Sequence, residues 1–227
     1  IADRMVGFVN PVYNDPTSHN GPARVLATLA FAIQIYCDFS GYSDLALGSA
    51  QVMGVRLMKN FNHPYFARSI PEFWGRWHIS LSTWFRDYLY IPLGGNRVPK
   101  PRWIFNIIIT FLISGLWHGA NWTFVIFGLF NGLILVLETI TEKQRHWFYE
   151  LIRINRISAF KNTLGILITF SLITCSLFFF RAGSLSESML LIANAADFSS
   201  FRESSRAISW PGTTLSPIST VRSISLR

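Results

Sequence analysis

An all-α, multi-pass integral membrane helical bundle with re-entrant or interfacial helices is the fold class that this sequence predicts, on three observations. Half of the 227 residues are hydrophobic and only 14% are charged, whereas a soluble chain has roughly 25% charged residues. A globule of this size would lack a polar coat. Mean hydropathy is +0.32, and the apolar residues fall in long runs. The net charge of +8 is carried by Lys and Arg between those runs, the arrangement of cytoplasmic loops in a membrane protein rather than of a nucleic-acid surface. The composition excludes a disordered chain, a coiled coil and most cytosolic enzymes. Cys37 and Cys175 both lie in apolar runs, so no disulfide framework and no cysteine-based metal site is expected.

Residues 1–22 are rich in turn formers (Asn10-Pro11, Asn14-Asp15-Pro16, Asn20-Gly21-Pro22) and read as a loop. They do not have the plan of a signal peptide. The chain starts without Met, and it is expected to begin partway through a longer protein. Residues 23–37 are apolar and continue through Asp38-Phe39-Ser40-Gly41-Tyr42-Ser43-Asp44 into residues 45–55. An uninterrupted span needs about 20 apolar residues, and two carboxylates and a Gly punctuate this one near its middle. Either Asp38 and Asp44 mark a helix end at the interface, or they serve a function facing protein or a wet cavity.

Residues 56–102 differ in kind. They carry Arg56, Lys59, Arg68, Arg76, Arg86, Arg97, Lys100 and Arg102 against Glu72 and Asp87, which places them on the cytoplasmic side. Their many rings, among them Phe61, Tyr65, Phe73, Trp74, Trp77, Trp84 and Tyr90, suit short helices lying in or dipping into the interface. Ile91-Pro92-Leu93-Gly94-Gly95-Asn96 closes the stretch as a turn. Residues 103–117 and 122–137 are each short for a span, whereas together they overshoot a ~30 Å core. A helical hairpin or broken helix with His118 at the break is expected. Lys143, Arg145, Arg153, Arg156 and Lys161 form a second basic loop, and residues 164–180 are the clearest transmembrane candidate. The tail from Ser184 is Ser-rich and non-periodic; residues 184–227 are expected to be an atypical, disordered or truncated end to a core of residues 1–183.

Among five histidines, His19, His63 and His146 sit in turn-rich or basic settings and read as surface groups. His118 lies in Ser114-Gly115-Leu116-Trp117-His118-Gly119-Ala120-Asn121-Trp122, where small residues allow close approach. A neutral imidazole in a dry site can take a proton from a hydroxyl. Alternatively, its ring bonds a carbonyl and holds the kink. His78, in Arg76-Trp77-His78-Ile79-Ser80, is its candidate partner, or else an interfacial group paired with Glu72 or a phosphate. Neither a zincin helix, a nucleophile elbow nor a phosphate-cradling Gly loop is present.

Five stretches, in this order, resemble the membrane-bound O-acyltransferase family: residues 36–44 (YCDFSGYSD), 60–65 (NFNHPY), 72–81 with Phe73-Trp74 and Arg76-Trp77-His78, 84–95 (WFRDYLYIPLGG) and 115–120 (GLWHGA). The resemblance runs from Tyr36 to about Ala182 and ends on Phe178-Phe179-Phe180-Arg181-Ala182. It is strongest to the alginate O-acetyltransferase branch, with the D-alanyl transfer protein of teichoic acids a near relative. The resemblance implies helices around a central tunnel in the cell inner membrane, His118 as the catalytic residue, and His78 at a second polar position. It makes Arg76, Trp77, Arg86, Trp117 and Asn121 candidates for binding substrate or donor. The donor would be acetyl-CoA or another acyl thioester, with no bound cofactor and no metal. The acceptor side would be a polysaccharide or a periplasmic acetyltransferase partner, with membrane lipids around the protein and no nucleic acid. A basic inner mouth suits the phosphates of such a donor. The family's N-terminal spans and its final span after Phe-Phe-Arg are expected to be missing from this fragment. D-alanyl transfer and a transporter or export component, whose broken helices look alike, stand as alternatives.

Overall fold

The computed structural model describes residues 1–151 and 158–196, and all regular structure among them is helical. The opening stretch is helical where a loop was expected: α1 spans Ala2–Asn14. Val9, Val12 and Tyr13 recur at helical spacing and are buried in a cluster with Phe31, Leu177 and Phe178. Packing of that face outweighs local turn preference, and the exposed Pro11 costs the helix one backbone donor. The other turn signals act at its borders. Asn14-Asp15-Pro16 ends α1, and Asn20 caps the next helix, its side chain accepting the Ala23 N–H at 3.2 Å.

That next helix, α2, runs unbroken over Gly21–Val52. The expected punctuation does not interrupt it, because Asp38, Gly41 and Asp44 all lie on its exposed surface while its buried face keeps the backbone ladder intact. Both carboxylates are therefore neither at a helix end nor in a cavity wall. The basic aromatic stretch does form short pieces: α3 (Ile70–Trp74), α4 (Ile79–Phe85) and a π turn over Arg86–Tyr90. Turns follow at residues 91–96.

The expected hairpin is present as α5 (Lys100–His118) and α6 (Trp122–Ile140). Two glycines let them touch. A β-carbon on Gly115 would lie 3.3 Å from the Gly128 Cα and would collide with the Phe124 carbonyl; one on Gly128 would collide with the Phe111 carbonyl. This small-residue contact brings the two backbones together as in membrane helix pairs. The second basic stretch begins as a helix, α7 (Glu142–Leu151), instead of a loop; Arg153 and Arg156 lie outside the described residues. α8 covers Ser158–Arg181, including the anticipated span. α2, α6 and α8 are long and apolar enough to cross a membrane. The chain is an all-α membrane protein.

The tail from Ser184 continues as α9 (Leu185–Ala193), where no periodicity was expected. Ser184 accepts the Glu187 N–H at 3.2 Å, while Glu187 reaches back to the Gly183 N–H at 3.0 Å. This is a capping box with one register shift, and burial of Leu191 anchors the helix. The expectation for residues 197–227 lies outside the described residues. Arg181, the end of the Phe-Phe-Phe-Arg run, donates to Asn10 Oδ1 at 2.8 Å and stands over the rings of Tyr13 and Phe31. It ties the end of α8 to α1 and α2.

Candidate functional site

The packing of α5, α6 and α8 against the short helices leaves a cavity of about 740 Å³. Its wall follows from helical periodicity. Trp103, Ile107, Thr110, Ser114 and His118 line it from α5, and Phe127, Asn131, Leu135 and Thr139 from α6. These steps of three and four residues select one face of each helix. The 15 residue steps from Trp103 to His118 extend about 22 Å at the rise of an α-helix. Along this wall Trp103 lies at one end and His118 at the other, and Asn96, Arg86 and Tyr90 also line the cavity.

His118 is the last residue of α5, and the ring of Phe180 stands edge-on to it at 5.0 Å. Trp117 is at 5.0 Å and Phe127 at 6.1 Å between ring centroids. His78 enters from a different element. It occupies the left-handed region at φ 44° just before α4, a conformation that non-glycine residues adopt only where their surroundings impose it. Asn60 imposes it here: its carbonyl accepts the Ile79 N–H at 3.0 Å, and its side-chain oxygen accepts both the Ser80 N–H and the Ser80 hydroxyl at 3.1 and 2.6 Å. The His78 ring then lies 4.6 Å from Phe39 and 6.0 Å from Trp117. Both imidazoles thus contact one indole at the same end of the cavity. Neither ring nitrogen of either histidine receives or gives a hydrogen bond among the described residues. The kink-holding bond to a carbonyl and the pairing with Glu72 are both missing.

Five of the seven site residues chosen from the sequence line this cavity: His118, His78, Trp77, Trp117 and Arg86. Arg76 and Asn121 do not. Arg76 bonds Glu72 at 2.6 Å and the His63 carbonyl at 3.3 Å, which fixes the turn carrying Trp77 and His78. Asn121 caps α6 by accepting the Thr123 N–H and donates to the Gly183 carbonyl at 3.2 Å, so it holds the break in place. Burial pushes the Glu72 carboxyl up, but the backbone N–H and guanidinium of Arg68 and the charge of Arg76 outweigh it and keep Glu72 below the usual carboxylate range. Phe39, Phe180 and Ser114 were missed as site residues; their only signal was inclusion in runs dominated by larger motifs. Of the three histidines set aside, His63 and His146 are exposed, and His19 is tied to Asp15 and Ser18.

A carboxylate at the far end of α6 secures the inserted segment. Glu138 accepts the Ile70 N–H at the start of α3 at 2.6 Å and pairs with Arg145 at 3.0 Å. Glu138→Ala would leave that N–H without its acceptor, and a loss of about 1–3 kcal/mol is expected. Thermal unfolding in detergent measures it, and an unchanged midpoint would refute the latch.

Comparison with known proteins places these features in a family. The model of the membrane-bound O-acyltransferase family matches residues 10–178. The chain is 51% identical over 140 residues to the probable alginate O-acetylase AlgI of Azotobacter vinelandii, covering 61% of this chain and 28% of that protein. It is 43% identical over 185 residues to the probable alginate O-acetylase AlgI of Pseudomonas aeruginosa, covering 82% and 32%. With the peptidoglycan O-acetyltransferase of Helicobacter pylori the identity is 39% over 193 residues, covering 85% and 35%. The chain therefore spans about a third of the length of these relatives. On a match that covers most of its residues, the chain belongs to the membrane-bound O-acyltransferase family.

Proposed function

We propose that this chain carries the reaction cavity of a multi-pass inner-membrane O-acyltransferase. It moves an acetyl group from a cytoplasmic thioester, acetyl-CoA or another acyl thioester, towards hydroxyls of an alginate-like extracytoplasmic polysaccharide, directly or through a periplasmic acetyltransferase partner. The names of the relatives support the reaction class. The observation that carries the reading is geometric: two imidazoles from separate elements meet at Trp117 in the wall of one cavity that Arg86 also lines.

In this reading the phosphates of the donor meet Arg86, as guanidinium groups match phosphate oxygens, in competition with its partner Asp87 at 2.7 Å, and the acyl arm runs along α5. At the far end, a ring nitrogen of His118 takes the proton of the attacking hydroxyl. The hydroxyl oxygen bonds the acyl carbon, the carbon–sulfur bond breaks, and the proton passes from the imidazolium to the departing thiolate. The partial negative charge at the C-terminus of α5 steadies the imidazolium while it exists. His78 orients the donor carbonyl or the acceptor, and Trp77 and Trp117 form the apolar wall that keeps water away.

The test uses membrane vesicles holding the protein, with radiolabelled acetyl-CoA and, separately, an aminoacyl carrier-protein thioester. Consumption of the acetyl donor coupled to transfer is expected. Use of the aminoacyl donor alone would assign D-alanyl transfer instead, and movement of solute without thioester consumption would assign transport.

A further inference from the structure

We infer that Ser114 is a further catalytic residue of the proposed reaction, donating a hydrogen bond from its hydroxyl to the acyl carbonyl oxygen as that oxygen gains negative charge. The inference rests on the acyl-transfer reading of the cavity and adds to it a residue that neither the sequence motifs nor the two histidines required.

Five serine and threonine side chains line the cavity: Ser82, Thr110, Ser114, Thr139 and Ser176. Four are spent on the backbone. Ser82 donates to the Trp77 carbonyl at 3.3 Å, Thr110 to Asn106 at 2.6 Å, Thr139 to Leu135 at 2.8 Å and Ser176 to Ile173 at 2.7 Å. This is the ordinary behaviour of a helical Ser or Thr facing an apolar medium, since its O–H finds the carbonyl one turn back. Ser114 is the exception among these five, although Ser43, Thr123 and Thr174 elsewhere in the bundle also have unpartnered hydroxyls. It makes no hydrogen bond to protein, although the Thr110 carbonyl lies one turn behind it in the same helix. Nor is its oxygen sealed off, for it is absent from the buried unpartnered atoms and the residue is half-buried in the cavity wall. A free hydroxyl facing an apolar cavity loses a hydrogen bond unless an occupant supplies the acceptor.

Its position identifies that acceptor. Ser114 precedes His118 by four residues on α5, so the two side chains share a helix face with about 5–6 Å between their β-carbons. An acyl carbon placed for attack by a hydroxyl bonded to His118 puts its carbonyl oxygen within one turn of that imidazole. There a single O–H donor strengthens as the oxygen becomes an oxyanion, the differential stabilisation that lowers a barrier. Ser82, the other serine near His78, cannot serve while bonded to Trp77. The neighbouring Gly115 is committed to the contact with Gly128, which fixes the rotation of α5 and so the direction in which both Ser114 and His118 face.

The proton inventory separates this role from a nucleophilic one. Ser114 keeps its proton throughout, forms no bond to the acyl carbon, and the thioester carbon passes straight from sulfur to the acceptor oxygen.

The experiment uses the whole chain in membrane vesicles with acetyl-CoA, comparing the unsubstituted protein with Ser114→Ala, Ser114→Thr and His118→Ala. Ser114→Ala is expected to lower kcat about a hundredfold with little change in KM and unchanged membrane abundance, while Ser114→Thr recovers most of the loss. In parallel, infrared spectra are taken with a non-transferable donor whose thioester is replaced by a ¹³C-labelled ketone. The carbonyl band is expected at lower frequency bound to the unsubstituted protein than to Ser114→Ala. Equal bands, or equal kcat with His118→Ala inactive, overturn the role of Ser114 and leave the acyl-transfer reading standing. Mass-spectrometric detection of an acetyl ester on Ser114 during turnover overturns it in favour of a covalent step. Absence of both donor binding and turnover in the unsubstituted protein overturns the two together.

Discussion

Replacing His118 with alanine is expected to abolish acetyl transfer by this protein without reducing the amount found in the membrane. Among the described residues the ring makes no hydrogen bond and contacts only the rings of Phe180, Trp117, Phe127 and Phe124, so its loss enlarges a cavity already present and leaves the helix ladder untouched. Stability should fall modestly. The rate should fall by about 10²–10⁴-fold, the usual contribution of a positioned acid–base group, which takes turnover to background in most assays. His118→Gln, which keeps much of the volume but has no basic nitrogen, should be as inactive as His118→Ala. Normal transfer in either variant, measured as labelled acetyl in the acceptor polymer against protein abundance by immunoblot, would falsify the assignment. His78→Ala is expected to be less severe on turnover, because an orienting group contributes through geometry, and a loss at His78 exceeding that at His118 would reverse the two roles.

The second large effect concerns the hairpin that presents this ring. Gly115→Val or Gly128→Val is expected to prevent the helices from closing. The atoms in the way are backbone carbonyls of Phe124 and Phe111, which cannot swing aside as a flexible side chain would. Overpacking of a side-chain core costs about 1–3 kcal/mol, and a clash with backbone should reach at least the top of that range. The measurement is the thermal midpoint in detergent together with protease resistance. Gly48→Ala serves as comparison, since a β-carbon there has nothing within 4 Å; it should be neutral or stabilising by up to about 1 kcal/mol through helix propensity. Equal behaviour of the Gly115 and Gly48 variants would show that the close approach is not needed.

Much of the architecture was readable where hydrophobic runs have the length of a helix. The hairpin around His118 and the span in α8 follow from run length and a break of small residues, and the short helices of residues 70–90 follow from rings interleaved with arginines. What failed did so for identifiable reasons. Residues 1–22 were read by their turn-forming pairs, but Asn10-Pro11 is absorbed within α1 and the others lie at helix borders, and the Val9, Val12, Tyr13 stripe is too short to register against so many turn formers. Asp38 and Asp44 suggested an interruption, yet a carboxylate on the outer side of a long helix does not disturb its hydrogen bonds. In the site, residue type identified His118, His78, Trp77, Trp117 and Arg86, all of which line the cavity. Arg76 and Asn121 have equally suitable chemistry but lie outside the cavity and bond Glu72, His63 and Gly183, while Arg86, paired with Asp87, still lines it. Such partners are set by tertiary contacts, and sequence spacing carries no record of them. The strain at His78 is also tertiary, being imposed by Asn60 from eighteen positions upstream.

One rigid rod runs along the cavity wall: α5 carries Trp103 at one end and His118 at the other. Under the proposed reading that rod is a gauge. Its length is set by peptide hydrogen bonds and not by side-chain rotamers, so thermal motion cannot shorten it. A donor anchored by its charged head must then be sorted by the reach of its tether before any atom of the acyl group is inspected, and the discrimination would survive wholesale replacement of the apolar lining.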